Sequence, residues 1–569
     1  MKSKSPKIIV IGSGVSGMAA AISAVESGAH VTLISRTPPS RSASACIREG
    51  ISAALNPAID DSAQEHAADT MRSSCFLAHE DAVKRMCEAA PSIVELLASM
   101  GVLLDRTKGE RRIRFGRSCG STKNRTLYSG RATGARILSA FTGQALRHES
   151  HGSIHPFFGW EFLSLILDEN RSCKGVVAQN LKNMELRAFA ADAVILCSGG
   201  YAGMFANHCG SVLNDGHAAM ACCAQGAVFS NPEFVQILPF TVPSSGKCRA
   251  VVDAALTEGG RISVMRDGRP WYFLKEWYPD SKGVPFREQA TRAVLKATKE
   301  VGAEDLAVTL DLTHVDSAFI EERLTSLIDV CDGACDLDLA ALSVKVMPAV
   351  GYTMGGLWVK SNHATNIDGL FAAGSCACAY HGAGVLGGNE LLSSIHGGMV
   401  AGASSVDFAH NLSKGADEVS ESLLKKAIDL EEDAIARISM QDGNENAHVI
   451  ACQLGHVLTD YASIEKNNED LARAAGKITE LQERMNKAAL LDRAEWANSE
   501  MFFMRRLRNR LRLGRMIVDA SIARDESRGS HYKPAFPKQD DDKWLVCTKV
   551  SWNQDVPVLD HSERMQVEV

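Results

Sequence analysis

No stretch of about 18 consecutive apolar residues occurs, so no segment has the length of a membrane-spanning helix, and any membrane attachment is expected to be indirect. A surplus of basic charge is also missing. Lys and Arg number 61 against 68 Asp and Glu, a net charge of -7, which gives no electrostatic footprint for nucleic acid. The 16 cysteines never repeat as CxxC…CxxC; the closest groupings are Cys222-Cys223, Cys331-x3-Cys335 and Cys376-x-Cys378. They predict no metal site, and they read as small buried apolar residues in a reducing cytoplasm. Lys2, Lys4 and Lys7 precede an apolar stretch in the manner of a signal peptide, but Gly12, Gly14 and Gly17 interrupt it, so no secretory segment is expected.

What is present is ordinary enzyme composition, with 45% hydrophobic and 23% charged residues over 569 positions. That length predicts roughly two to four domains. Lys7-Ile8-Ile9-Val10-Ile11 reads as a short buried parallel strand, followed by Gly12-Ser13-Gly14-Val15-Ser16-Gly17 and a helix over Met18 to Ser27. Gly28 stops the helix, and Val31-Thr32-Leu33-Ile34 forms a second strand. In this G-x-G-x-x-G turn Gly12 permits the tight bend, Gly14 lets amides approach a pyrophosphate, and Gly17 lets the helix lie on the strand. The helix N-terminus then receives phosphate charge.

The second strand ends in Ser35-Arg36, without the acidic residue that would hold a ribose hydroxyl, so this unit alone leaves FAD and NAD(P) undecided. Two more strand-to-glycine turns, Ala193 to Gly200 and Gly369 to Gly374, point to FAD. A nucleotide site assembled from both ends of a chain around a long insertion is the construction of a large FAD-binding fold.

Further motifs are spread along the chain: Arg41-Ser42, Ser198-Gly199-Gly200-Tyr201, Asn214-Asp215-Gly216, Glu233-Phe234-Val235-Gln236, and Thr257-Glu258-Gly259-Gly260-Arg261. Tyr352-Thr353-Met354-Gly355-Gly356, Leu386-Gly387-Gly388-Asn389 and Glu526-Ser527-Arg528-Gly529-Ser530-His531-Tyr532 follow. From about Lys7 to Thr548 the chain resembles the flavoprotein subunits of succinate dehydrogenase and fumarate reductase, a family that includes L-aspartate oxidase. The resemblance implies an α/β class fold: a Rossmann-like FAD-binding domain (1–237 and 350–408), an inserted α+β capping domain (238–349) and a C-terminal helical domain and tail (420–569). Residues 421–524 carry no Pro and are rich in Leu, Ala, Glu, Lys and Arg, which independently predicts helices. Pro534 and Pro537 are expected to end regular structure, and Asp540-Asp541-Asp542 to be a solvated surface.

The resemblance also implies chemistry. A hydride passes between flavin and one carbon of a C–C bond, while an arginine moves a proton at the neighbouring carbon. Arg287, in Pro285-Phe286-Arg287-Glu288, stands at that arginine, with Glu258 and Arg261 at the relay positions behind it. FAD contacts are implied for Gly12, Gly14, Ser16, Gly17, Ser35, Arg36, Ser42, Asp215, Ser375, Asn389 and Leu391. The substrate pocket is placed at Leu238, Thr257, Gly351, His381 and Val385.

Three of those pocket positions depart from the family. Leu238 and Gly351 replace histidines, and Val385 replaces an arginine, so the grip on a four-carbon dicarboxylate is missing. A buried carboxylate without such partners costs several kcal/mol. The histidine that bonds FAD covalently in membrane-complex members is Ala43, so FAD is expected to be held non-covalently. The resulting expectation is a flavin-dependent oxidoreductase acting on a CH–CH or C=C bond next to a carbonyl, on a small molecule less charged than succinate. Its electron partner would be a separate iron–sulfur protein, and its place the cytoplasm, peripheral to the membrane only through partners. The alternatives are a family enzyme with a rebuilt clamp, an aspartate-oxidase-like enzyme, or an FAD-carrying subunit with no substrate of its own.

Overall fold

The computed structural model describes residues 5–107, 112–130, 132–243, 250–257, 259–279, 285–316, 343–553, 556–563 and 565. Strand β1 (Lys7–Ile11) has four of its five residues buried, because it is central in a parallel sheet covered on both faces. The sheet order is Leu370–Ala372, Ala193–Leu196, β1, β2 (His30–Ser35) and Ile154–Phe158. All three predicted strand-to-glycine turns therefore leave one sheet on neighbouring strands, β1 pairing with Ala193–Leu196 in parallel register and that strand with Leu370–Ala372. Helix α1 (Val15–Glu26) begins directly after Gly14, three residues before the predicted start, with Gly14 as its N-cap.

Between the flanks of this unit lies a second layer with its own core. Its six-stranded sheet runs Ala250–Val251, Val235–Val242, Ser343–Thr353, Val308–Asp311, Arg261–Arg266, Arg269–Trp271. The helix Arg287–Glu300 buries Ala290, Ala293, Val294 and Ala297, at helical spacing, in the same apolar cluster as Phe240, Leu310 and Val346. The long strands Val235–Val242 and Ser343–Thr353 pair antiparallel and carry the chain out of the FAD-binding layer and back.

Helices Glu421–Ser439, Ala447–Ala462, Asn468–Met485 and Ser499–Ala523 fill the Pro-free segment. Their apolar faces join the main core rather than forming one apart: Leu454, Ile478 and Leu511 belong to the same cluster as Val10 and Ile195. Regular structure does not end at Pro537. Lys549–Asn553 pairs with Phe229–Ser230 and with Val556–Asp560, adding the tail to a five-stranded sheet. The acidic run is not merely solvated either, since Asp541 accepts from buried Arg528 at 2.6 Å and Asp540 caps the short helix after it. Among the described residues no helix is long and apolar enough to cross a membrane.

Candidate active site

A cavity of about 660 Å³ opens where the three glycine turns meet. Gly12, Gly14, Ser16, Ser35, Arg36, Ser42, Asp215 and Ser375 all line it. Gly12 has φ +109°, and a Cβ there would lie 2.3 Å from the Cys197 carbonyl oxygen, so only glycine lets the first and second turns touch. A Cβ on Gly17 would lie 1.9 Å from the Gly12 oxygen, so this glycine seats α1 on its strand without lining the cavity. Asn389 and Leu391 also stand off the wall. Asn389 is committed to His66 (2.8 Å) and Thr70 (2.9 Å), and Leu391 is buried in the core.

One end of the cavity is held by two arginines and two carboxylates. Arg36 donates to Asp215 at 2.9 Å and lies 3.4 Å from Glu161. Arg506, from the C-terminal helix Ser499–Ala523, donates to Glu161 at 2.9 Å and lies 3.5 Å from Asp215. Burial opposes ionisation of Asp215, but Arg36 and Arg506 outweigh it and hold its pKa at about 2. Asn509 of the same helix reaches His217 at 3.1 Å. Ser42 Oγ and His217 Nε2, both on residues of the cavity wall, are buried with no hydrogen-bond partner among the described residues. Unpaired buried donors and acceptors are costly, and a long polar ligand lying along the wall would satisfy them. The glycine turns, the start of α1 and these open polar atoms fit the pyrophosphate and ribose portions of FAD. Ala43 lines the same wall, where its methyl group offers no nucleophile to a flavin.

At the other end, Arg287 opens the helix Arg287–Glu300 and spends each face of its guanidinium on a carboxylate. Nε donates to Asp253 (3.0 Å), Nη1 to Glu390 (2.9 Å) and Nη2 to Glu49 (2.8 Å). Neither predicted relay residue is seen in this cluster. Arg261 is exposed at the start of its strand, with its guanidinium 5.8 Å over the Tyr272 ring. Glu258 and the side chain of Thr257 lie outside the described residues. Asp253, five residues before Glu258, is the carboxylate of this segment that meets Arg287.

The departures from the family pattern fall in different places. Leu238 and Gly351 line the cavity, and Leu238 occupies the space a side chain on Gly351 would need, with Cδ1 2.3 Å from that Cβ position. Cys209 and Val251 complete this apolar wall. Val385 is not on the wall; it is buried with Leu77, Phe234 and Met354, and its N–H donates to Gln236 at 3.1 Å. His381 bonds Ser393 at 3.0 Å and packs edge-on to Tyr352, and burial lowers its pKa to about 4, so it carries no charge for a substrate.

Glu49, Asp253, Glu390, Glu161 and Arg506 escaped sequence reading because no local spacing joins them. Glu390 directly follows the Leu386–Asn389 motif, and that adjacency was the one signal available.

The comparisons agree with this geometry. A family model described as an FAD binding domain matches residues 7–391, and a fumarate reductase flavoprotein C-terminal model matches 451–568. The chain is 42% identical over 546 residues to a succinate dehydrogenase flavoprotein subunit of Bacillus subtilis, covering 95% of this chain and 93% of that one. It is 30% identical to a fumarate reductase flavoprotein subunit of Mycobacterium tuberculosis over 566 residues, 96% of this chain and 95% of the relative. In fold it is similar to the Escherichia coli quinol fumarate reductase FrdA chain, with a TM-score of 0.92 at 24% identity over 100% of this chain and 98% of that one. With an FAD-binding layer, a carboxylate-bound arginine and this likeness along nearly its whole length, the chain belongs to the family of succinate dehydrogenase and fumarate reductase flavoprotein subunits, FAD-dependent oxidoreductases acting on CH–CH bonds.

Proposed function

We propose that this family member acts on a CH–CH or C=C bond next to a carbonyl in a substrate less charged than a four-carbon dicarboxylate, with FAD held non-covalently. The observation that carries the reading is the charge balance around Arg287: one guanidinium faces Glu49, Asp253 and Glu390, while Leu238 and Gly351 add apolar surface to the same cavity. Two like charges about 5 Å apart at an effective dielectric of about 20 repel by roughly 3 kcal/mol. A dianion would meet that repulsion without the imidazoles that offset it in relatives. When bound, FAD supplies hydride acceptance and donation. The chain's own residues do the rest. Ser42, Asp215 and His217 line the cofactor's path, the apolar wall keeps water from the reacting carbons, and the Arg287 cluster holds the proton inventory. A separate iron–sulfur protein is proposed as electron partner, because the relatives are named as flavoprotein subunits.

A second reading, a rebuilt dicarboxylate site, is favoured by the 42% identity to a succinate dehydrogenase subunit and by Arg48, a cation on the cavity wall. Other candidate cations give it less. Arg292 stacks on Tyr532 at 5.0 Å, away from the cavity, and Arg249 lies outside the described residues. Anaerobic titration of the flavin spectrum separates the two. Enoyl thioesters, amides or esters should reoxidise the reduced flavin, while malonate, succinate and fumarate at millimolar concentration should leave the spectrum unchanged. A saturable shift with succinate or fumarate at micromolar concentration, abolished in Arg48→Ala, would establish the second reading instead.

A further inference from the structure

We infer that the cleft between the inserted layer and the C-terminal segment is a second binding site, for a compound carrying several phosphate groups, with Arg292, Lys296 and Lys299 holding it. Among the described residues the cleft shares no lining residue with the FAD cavity, so the inference stands apart from the reading of the substrate.

The cleft has a volume of about 780 Å³, within the range of roughly 300–1,000 Å³ for small-molecule sites. One wall is the solvent side of the helix Arg287–Glu300, whose other side is buried with Phe240, Leu310 and Val346. Facing it are Glu465, Tyr532 and Pro537 of the C-terminal segment. Lys296 and Lys299 follow Arg292 by four and seven positions, which brings all three to one face of the helix. Like charges at that spacing repel one another. Among the described residues the cleft carries these three cations and one acid, Glu465.

Two of the cations are aimed but not neutralised. The Arg292 guanidinium lies 5.0 Å from the centre of the Tyr532 ring, and the Lys296 ammonium 4.3 Å from that of Trp277. Neither has an ion-pair partner among the described residues; Glu288 feels the Arg292 charge from the buried side without pairing with it. An aromatic face attracts a cation through its quadrupole and consumes none of its hydrogen-bond donors. Arg292 therefore keeps its N–H fork for an oxyanion, and Lys296 keeps three donors. Lys299 differs, since it meets Glu465 at 3.4 Å with 61% of its side chain exposed. An exposed pair of that kind contributes little, so Lys299 can turn to a stronger anion.

Behind Arg292 and Tyr532 the wall continues into a cavity of about 10 Å³, the size of about one water. Ser530 lines it, 8% exposed, and its hydroxyl has no hydrogen-bond partner among the described residues. The floor of the site thus offers an open polar group beside the open charges. Spacing selects the ligand. Seven residues of helix advance about 10 Å, a length that one phosphate cannot span and a chain of two or three can approach. Arg292 would grip one end through its planar fork, and the lysines would act as point charges along the chain. Such an occupant would bond both layers at once, across a cleft where Lys299 meets Glu465 and Arg292 meets Tyr532.

Calorimetric titration of the flavin-loaded protein with inorganic triphosphate tests the assignment. FAD then fills the other phosphate site, and salt at about 0.15 M screens loose ion attraction. One triphosphate should bind per chain at micromolar concentration, raise Tm, and leave the flavin spectrum unchanged. Orthophosphate should bind about tenfold more weakly or worse. Arg292→Ala and Lys296→Ala should each weaken triphosphate binding about tenfold, the loss of one charge-assisted contact. Arg292→Lys, which keeps the charge without the fork, should fall between. Lys477→Ala removes a cation held 4.6 Å over the Tyr461 ring, away from the cleft, and should change nothing. No saturable binding at millimolar triphosphate, or full affinity in both Arg292→Ala and Lys296→Ala, overturns the proposal. So does equal weakening in Lys477→Ala, which would reduce the effect to general charge, or a flavin spectral shift that survives both cleft variants, which would put the anion in the FAD cavity. Citrate binding more tightly than triphosphate overturns the phosphate assignment.

Discussion

The two ends of the cavity use the same ingredients in different proportion. At one end Arg36 and Arg506 face Asp215 and Glu161, two cations to two anions, and Asp215 is held down to about 2. At the other end, among the described residues, Arg287 is the cation bonded to Glu49, Asp253 and Glu390, and Glu49 is pushed up to about 8. Both clusters are buried, so desolvation acts in the same direction in each; the count of cations decides the sign. A balanced cluster makes a rigid, permanently charged binding end. An unbalanced one makes a site that stores a proton near neutral pH, which is what acid–base chemistry requires.

The largest effect should come from removing Arg287, the cation bonded to all three acids of the unbalanced end. Arg287→Ala should abolish turnover, keep FAD bound, and destabilise the protein by about 3–5 kcal/mol, as for one partner lost from a buried pair. Carboxyls whose folded pKa exceeds the unfolded value destabilise as pH rises through it, since only the unfolded state is then freely ionised. The loss should therefore be greatest above pH 8 and smaller near pH 5–6, as read by denaturant melts. A pH-independent loss would break the contrast between the two ends.

Asp215→Asn tests the balanced end. A folded pKa near 2, against 3.8 for the ordinary group, corresponds to about 2 kcal/mol of stability that is present above pH 4 and lost as pH falls through about 2. The variant should lose about that much at pH 7 and weaken FAD binding about tenfold, measured by equilibrium dialysis. Unchanged FAD affinity would separate this cluster from the cofactor. A smaller shift should follow Glu390→Gln. Glu390 is the charge that most raises Glu49, so the midpoint of the Glu49 carboxyl band in an infrared titration should fall by about one unit, worth ~1.4 kcal/mol. Least visible is the consequence of Ala43: acid precipitation of the wild-type protein should release all flavin to the supernatant, and fluorescence in the washed pellet would show a bond from another residue.

The sequence was most legible where function is written locally. The run from Lys7 to Ser35 has its strand, glycine turn, helix and strand in one continuous segment, and the structure lays them side by side in register. Hydrophobic periodicity likewise gave the helices of 421–524. It could not tell that Leu454 and Ile478 would share a core with Val10, because an apolar stripe does not name its partner. Motif matching did not bring Arg261 into the Arg287 cluster: the residue follows a Gly-Gly pair and is exposed at the start of its strand, and the described acid of this segment that meets Arg287 is Asp253.

By itself the sequence determined the dinucleotide-binding unit, the family resemblance, and the substitutions at Leu238, Gly351 and Ala43, since each is a matter of residue type at a position in a motif. Only the tertiary structure decided which carboxylates surround Arg287. Glu49 lies 238 residues from it, Glu390 lies 103 and Asp253 lies 34, so no periodicity connects them. Charge acts through space over a few ångströms of low-dielectric interior, and that distance exists only once the chain is folded.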